Sequence, residues 1–269
     1  MNTPVFSKRT ATLDMARYEV ASLLWLGEHA PGFVAVPCDP HTGEAVTVLP
    51  TAPTVATVQA TPVRPTPAAA FAAGEALAAL HQNPAPAFGA PPSYGGKPYA
   101  GETYIGRLAQ PCEPTDHWAE FYTAQRVLHP ARLARDAGTL LPEEFALLEE
   151  ACAALLDCAE PWAHRDPVLV HGDLWTGNLL FTTTGPLLID PAAHGGHPEV
   201  DIAMLALFGV PYWEEIVAGY SRVAGDCSAA LERLCIHQLH PLAVHTLTHG
   251  RSYASSLVQA ARATLAYVQ

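Results

Sequence analysis

The stretch Val170-His171-Gly172-Asp173-Leu174-Trp175-Thr176-Gly177-Asn178, together with the residues up to Asp190, constrains this chain most. After Asn178 comes a short apolar run, Leu179–Phe181, then a turn at Gly185-Pro186, then a second run, Leu187–Ile189, that ends at Asp190. Two short apolar runs around a Gly-Pro turn predict a strand–turn–strand unit. Val168–Val170 predicts another strand leading into the motif. The pattern puts Asp173 in a loop, with Asn178 and Asp190 across one hairpin. A lone loop aspartate is ordinarily a turn former or a cap. Here the Asp-x-x-x-x-Asn spacing and the terminal Asp190 together supply what phosphoryl transfer needs. One carboxylate can accept or orient a hydroxyl proton. A neutral oxygen and a second carboxylate lie close enough to share Mg²⁺, which prefers hard oxygen ligands.

Charge narrows the partners. Against 26 Asp+Glu the chain has only 14 Lys+Arg, a net charge of −12. That excludes the cationic footprint of a nucleic-acid binder and of a basic membrane-surface protein. Nucleotide phosphates stay accessible to an acidic protein if Mg²⁺ carries the compensating charge. No apolar run reaches the ~18 residues of a membrane span, and Met1–Thr10 shows no secretory pattern. The six cysteines form no Cys-x-x-Cys pair and are too sparse for a disulfide scaffold, so reduced thiols in the cytoplasm are expected.

The 269 residues suggest about two domains. Residues 4–8 predict a short strand, residues 12–29 a helix with Met15, Val20, Leu23, Leu24 and Leu26 on one stripe, and residues 33–37 and 45–49 two strands around the turn Asp39–Gly43. Five prolines between Pro50 and Pro67 exclude a regular helix, and this stretch is the expected connector between domains. Thr66-Pro67 opens an Ala-rich helix to about His81. The Pro- and Gly-rich residues 83–116, with Tyr94, Tyr99 and Tyr104, read as a long ordered binding loop. Residues 117–137 and 142–160 read as helices, and the chain after Glu199 is helical with breaks near Gly209, Gly225 and Gly250. The expected division is 1–50, a nucleotide-side lobe; 51–67, the hinge; and 68–269, a lobe with the catalytic loop and acceptor site.

Lys8 ends the first strand and Glu19 lies on the next helix, so the two can pair beside a nucleotide. Together with His171–Asn178, Ile189-Asp-Pro-Ala-Ala193, Gly196-His197 and Asp201–Met204, the chain resembles the fructosamine kinase (ketosamine-3-kinase) family. Tyr104–Arg107, Trp118–Tyr122 and Leu239–His245 extend the resemblance over nearly the whole chain. The Trp after His-Gly-Asp-Leu separates this family from the aminoglycoside and choline kinases. The resemblance implies an α+β, two-lobed protein-kinase-like fold, with a small β-rich amino-terminal lobe and a larger, mainly helical one. It implies ATP and Mg²⁺ as cofactors, and phosphorylation of the sugar 3-hydroxyl of a small-molecule ketosamine or glycated lysine. Asp173 would be the catalytic base, Asn178 and Asp190 the Mg²⁺ ligands, and Lys8 the α/β-phosphate ligand oriented by Glu19. Trp175 would line the sugar pocket, with the Tyr-rich loop 91–108 beside it. His171 adjoins that substrate set, although its place and that of Asp201 in kinase-like folds brace the catalytic loop. Asp201 could equally be a plain helix cap.

Two features depart from the family pattern. Members carry further strands and a Gly-containing loop before the strand that ends in the Lys, whereas here seven residues precede Lys8. The expectation is an incomplete reading of a longer chain, or else poor ATP binding. The second departure is Leu49-Pro50-Thr51, the expected adenine hinge. Pro50 has no N–H to offer, so Leu49 and Thr51 are the candidates. Two other readings stand beside the leading one: a non-catalytic pseudokinase, and a same-fold kinase for aminoglycoside- or choline-like alcohols. His237, His240, His245 and His249 do not share one helix face, so no zinc site is expected there. His194 and His197 read as solvated loop residues near the site.

Overall fold

A computed structural model describes residues 3–268. Strand β1 (Val5–Arg9) runs into helix α1 (Leu13–His29), where the apolar stripe predicts it. Thr12 caps the helix by accepting the Met15 N–H at 3.2 Å. The strands expected at 33–37 and 45–49 are reduced to isolated bridges, Val34 with Leu188, Pro37 with Thr57 and Cys38 with Ala45. The turn between them is present: Asp39 Oδ1 accepts the N–H groups of His41 and Thr42 at 2.8 and 2.9 Å.

The partner of β1 comes from the Pro-rich stretch instead. Strand β2 (Thr54–Val58) pairs antiparallel with β1, with Val5 opposite Val58 and Lys8 opposite Val55. The prolines do exclude a helix. Pro53 and Pro62 stand outside the strand, so its N–H groups remain free to pair. Helix α2 (Pro67–Leu80) comes next, capped by Thr66 with proline in its first turn.

The loop 83–116 holds two small hairpins, β3 (Ser93–Tyr94) with β4 (Lys97–Pro98) and β5 (Tyr104–Ile105) with β6 (Leu108–Ala109). Tyr99 and Tyr104 are buried against Tyr18 of α1, at ring-centroid distances of 5.8 and 6.4 Å. The helix expected at 117–137 is α3 (Trp118–Phe121), a π-helical stretch (Tyr122–Leu128) and α4 (His129–Asp136). Helix α5 (Pro142–Leu156) precedes strand β7 (Val168–Val170) and the hairpin of β8 (Leu179–Thr182) with β9 (Gly185–Leu188). An unexpected strand, β10 (His194–Gly196), pairs with β7. Five helices close the chain: α6 (Glu199–Phe208), α7 (Trp213–Ala224), α8 (Ser228–Glu232), α9 (Leu234–Thr248) and α10 (Ala254–Val268).

Two large apolar clusters carry this architecture, beside a smaller one around Tyr18, Tyr99 and Tyr104. One joins Leu23 of α1, Val55 of β2, Leu77 of α2, Leu188 of β9 and Ile216 of α7. The other is helical, around Trp118, Leu148, Leu239 and Leu257. Burying such side chains stabilises by roughly 1.5–3 kcal/mol each. Helices α2 and α7 touch backbone to backbone: a Cβ on Gly219 would run into the Phe71 carbonyl oxygen. Alanine and glycine on these faces serve close packing.

Candidate active site

The loop between β7 and β8 is pinned from below. Asp201, in the first turn of α6, accepts the N–H of His171 at 2.7 Å and of Gly172 at 2.9 Å, and its Oδ2 lies 3.1 Å from His81 Nε2. Asp201 is fully buried, yet the bonds from His81 and His171 hold its carboxyl below the usual range. It therefore braces the loop and is not the N-cap of α6, a place held by Pro198. Gly172 has φ +79, and a Cβ there would strike the Ala192 carbonyl. His171 is closed to solvent, its Nε2 at 2.9 Å from the Ile189 carbonyl oxygen. The expectation that His171 touches substrate is therefore corrected: its ring ties the loop to the end of β9.

Asp173 projects from this braced loop. Burial, then the charges of Asp190 and Asp201, push its carboxyl up to about 7, against the pull of Lys8. Asn178 donates from Nδ2 to the Asp173 carbonyl oxygen at 2.7 Å, which leaves its own side-chain oxygen as an acceptor. Across the hairpin Leu179 pairs with Leu188, and Ile189 N–H reaches Asn178 O at 3.1 Å. Asp190 comes next, in the left-handed region at φ 54, which aspartate tolerates better than most residues. Its Oδ1 lies 2.8 Å from Lys8 Nζ, and Glu19 Oε1 lies 3.0 Å from the same nitrogen. Burial works against the Lys8 ammonium, but Glu19 and Asp190 outweigh it and its pKa is raised. Glu19 is pushed up to about 7, first by burial and then by Asp190, with Lys8 opposing.

These carboxylates line two cavities, Glu19 and Asp190 the first and Asp173 the second. One, of about 240 Å³, is lined by Lys8, Glu19 and Asp190 at one end and by Val58, Gln59 and Ala60 at the other. The second, of about 640 Å³, is lined by Asp173, Trp175, Arg107, His245, His249 and Tyr253, among others. Trp175 is 42% exposed, open to a ligand. The structure thus brings Lys8, Glu19, Asp173, Asn178, Asp190 and Trp175 together.

It does not bring in the others. Leu49 and Thr51 line a separate hollow with Pro37 and His41. The reason is β2: the chain re-enters the small sheet after Thr51, so the residues that follow β2, Gln59 and Ala60, wall the cavity that holds Lys8. Tyr94, Tyr99 and Tyr104 do not line the second cavity; only the tip of the β5–β6 hairpin, Ile105–Arg107, does. His194 and His197 are buried, not solvated, because β10 packs into the helical lobe. His197, Glu199 and His237 come within 4.8 Å. Two of the three are already engaged: His197 accepts the Glu199 N–H at 3.3 Å with its other nitrogen 3.0 Å from the Trp162 carbonyl oxygen, and Arg233 grips both Glu199 oxygens, whereas neither ring nitrogen of His237 is hydrogen-bonded among the described residues, its Nε2 lying 3.3 Å from Glu199 Oε2. Gln59, Ala60, Arg107, His245 and His249 are not marked as site residues by the sequence alone. The β-branched residues Thr54, Val55, Thr57 and Val58 are the available signal for β2, and hence for Gln59. Arg107 is marked only through the resemblance at Tyr104–Arg107 and the loop 91–108, which gives it no role of its own.

A small sheet set on a larger helical body, with a braced Asp loop lining one cavity and the Lys8–Asp190 pair lining another, defines a two-lobed kinase-like phosphotransferase fold. An ADP-bound aminoglycoside phosphotransferase shares it at TM-score 0.54 and 15% identity, over 97% of this chain and 88% of that one. The profile of the family described as fructosamine kinase matches residues 9–267, and the chain belongs to that family. A Thermobifida fusca protein of known structure, provisionally described as a fructosamine-3-kinase, is 37% identical with TM-score 0.84, over 98% of this chain and 86% of that one. A Vibrio parahaemolyticus protein named "Probable ketoamine kinase" is 31% identical over 74% of this chain and 63% of its own length. A Synechocystis relative of the same name is covered over 59%. The chain thus spans less than two thirds of the length of these curated relatives.

Proposed function

We propose that this chain is an ATP-dependent kinase that phosphorylates a sugar hydroxyl, the 3-OH, of a ketosamine such as a fructosamine or ribulosamine, free or on lysine, in deglycation. The observation that carries the reading is Asp173, which lines the second cavity and feels the charges of Asp190 and Lys8 from the first, with its carboxyl pushed up to about 7. Nucleotide occupies the Lys8 cavity, with the chain at Gln59 and Ala60 in the hinge position. Lys8, held by Glu19 and Asp190, turns its charge to the phosphates. The acceptor lies in the second cavity against Trp175. Its hydroxyl oxygen attacks the γ-phosphorus, ADP leaves, and Asp173 takes the hydroxyl proton. The donors suit Mg²⁺: the Asn178 side-chain oxygen and the half-exposed Asp190 carboxylate are hard oxygens across one hairpin. Bound there, the ion would screen phosphate charge as it develops in the transition state.

The test is Mg²⁺-dependent ADP release from the 269-residue chain, with and without fructosyl- or ribulosyl-lysine. Acceptor-dependent release is expected. Release with an aminoglycoside or choline and not with ketosamines would move the acceptor class. Nucleotide binding without turnover on any acceptor would favour the pseudokinase reading. Asp190→Ala is expected to lose at least ~10-fold in Mg·ATP affinity, since a charged ligand is removed from the phosphate end. Isothermal titration with and without Mg²⁺ checks it, and unchanged affinity would remove Asp190 from the site.

A further inference from the structure

Arg126 lies in the π-helical stretch and is 1% exposed, a cation buried almost completely. A buried charge is ordinarily paired with an opposite one. Among the described residues Arg126 makes no ion pair with a carboxylate. Its Nη1 donates to the Pro111 carbonyl at 2.6 Å, its guanidinium sits 4.4 Å from the Phe121 ring centre, and its Nη2 donates to Cys112 Sγ at 3.2 Å. Its Nε, fully buried, has no acceptor.

Nε–H and Nη2–H are the two parallel donors on one edge of a guanidinium, a fork that fits a two-oxygen anion. Arg233 in this same chain uses that edge, Nε and Nη2, to hold both oxygens of Glu199 at 2.9 and 2.5 Å. Arg126 aims the same edge at Cys112, where one donor meets a sulfur and the other meets nothing. The charge is felt around it: after burial, Arg126 is the next cause that holds the neighbouring His194 down to about 3. Cys112 is partly exposed, whereas Cys38, Cys152, Cys158 and Cys227 are buried.

We propose that Cys112 is a reactive thiol and a modification site, whose oxygenated form, sulfenate and then sulfinate, is held by the Nε/Nη2 fork of Arg126. The oxidant is a peroxide. The thiolate sulfur attacks one peroxide oxygen, an S–O bond forms, the O–O bond breaks and hydroxide leaves. Sulfur is oxidised by two electrons and the peroxide is reduced. A second equivalent gives the sulfinate, whose two oxygens match two donors. The site adjoins the catalytic centre. The Tyr18 hydroxyl, whose pKa is raised by burial and then by Cys112, donates to the Ala193 carbonyl at 3.1 Å, and Tyr18 precedes Glu19.

The test treats the whole chain with hydrogen peroxide, traps sulfenic acid with dimedone and maps adducts by peptide mass spectrometry. Cys112 is expected to label at least ~10-fold faster than Cys235, the other partly exposed thiol, and to gain two oxygens without dimedone. Equal rates at Cys112 and Cys235 would overturn the proposal in the unaltered protein, with no variant needed. Arg126→Lys keeps the charge and loses the fork, so it should reduce the sulfinate yield while Cys112→Ser abolishes the adduct. An Arg126→Lys protein that folds, by circular dichroism, and forms sulfinate at the original yield would remove Arg126 from the role assigned to it.

Discussion

Asp173→Asn is expected to leave a folded protein whose turnover falls by about 10²–10⁴-fold, the range a positioned general base contributes. The amide keeps the shape of the carboxyl, and the loop is held by Asp201 and Asn178 through backbone atoms, so the substitution removes only the proton acceptor. The stability effect has the opposite sign. The Asp173 carboxyl stands at about 7 in the folded protein, chiefly through burial, then through Asp190 and Asp201, against about 4 in an unfolded chain. The folded state therefore binds a proton that the unfolded state has lost between those two values, and an ionised Asp173 lowers stability increasingly as pH rises through that window. Asparagine never ionises. The variant should melt above the wild type at pH 8, and the gap should close towards pH 4. Melting curves at both pH values, with ADP release at pH 8, check this. A near-normal rate would remove Asp173 from the mechanism. A lower melting temperature at pH 8 would show that burial of its charge costs nothing. A binding site that holds a carboxylate against its solvation stores strain for function.

The residues legible in the sequence were those whose chemistry and spacing are local. Asp173, Asn178 and Asp190 lie within one strand–turn–strand unit, and nothing outside it was needed to bring them together. Lys8 and Glu19 were legible because β1 and α1 are adjacent in the chain. The hinge was not, because it depends on which segment pairs with β1. Five prolines argued for an irregular connector, yet a five-residue strand fits between Pro53 and Pro62. Once Val58 lies opposite Val5, Gln59 and Ala60, rather than Leu49 and Thr51, wall the cavity that holds Lys8. The tyrosines of the long loop were misplaced for a related reason. Sequence marks an aromatic residue as able to line a sugar site, but only the position of α1 decides that Tyr99 and Tyr104 cover Tyr18 instead. Likewise β10, whose sequence is His-Gly-Gly, carries no strand signal of its own and exists because β7 offers it an edge.

Asp201 separates two roles that its sequence position left open, and their energies differ enough to measure. A helix cap contributes about 1 kcal/mol. A buried carboxylate that accepts from His171 N–H, Gly172 N–H and His81 leaves three donors unmatched when removed, a loss of roughly 3–5 kcal/mol. Asp201→Ala should therefore lower the melting temperature by about 10 °C, at roughly 2–4 °C per kcal/mol for a chain of this size. Asp201→Asn should fall between: one oxygen remains, but the amide turns its own N–H groups towards a donor. The dependence on pH comes from the lowered carboxyl pKa, set against burial by the bonds from His81 and His171. That stabilisation is present above about 4, the unfolded value, and is lost as pH falls through the lower folded one, so wild type and Asp201→Ala should converge in acid. Turnover should fall too, by ~10²-fold, because Gly172 carries Asp173 and a shift of about 1 Å in the loop is felt at the reacting atoms. The fall should lie in kcat, with Mg·ATP affinity largely kept, since Lys8, Glu19 and Asp190 are held by their own contacts. A loss near 1 kcal/mol with unchanged kcat would return Asp201 to an ordinary helix terminus and leave the loop held by the His171 ring and Asn178.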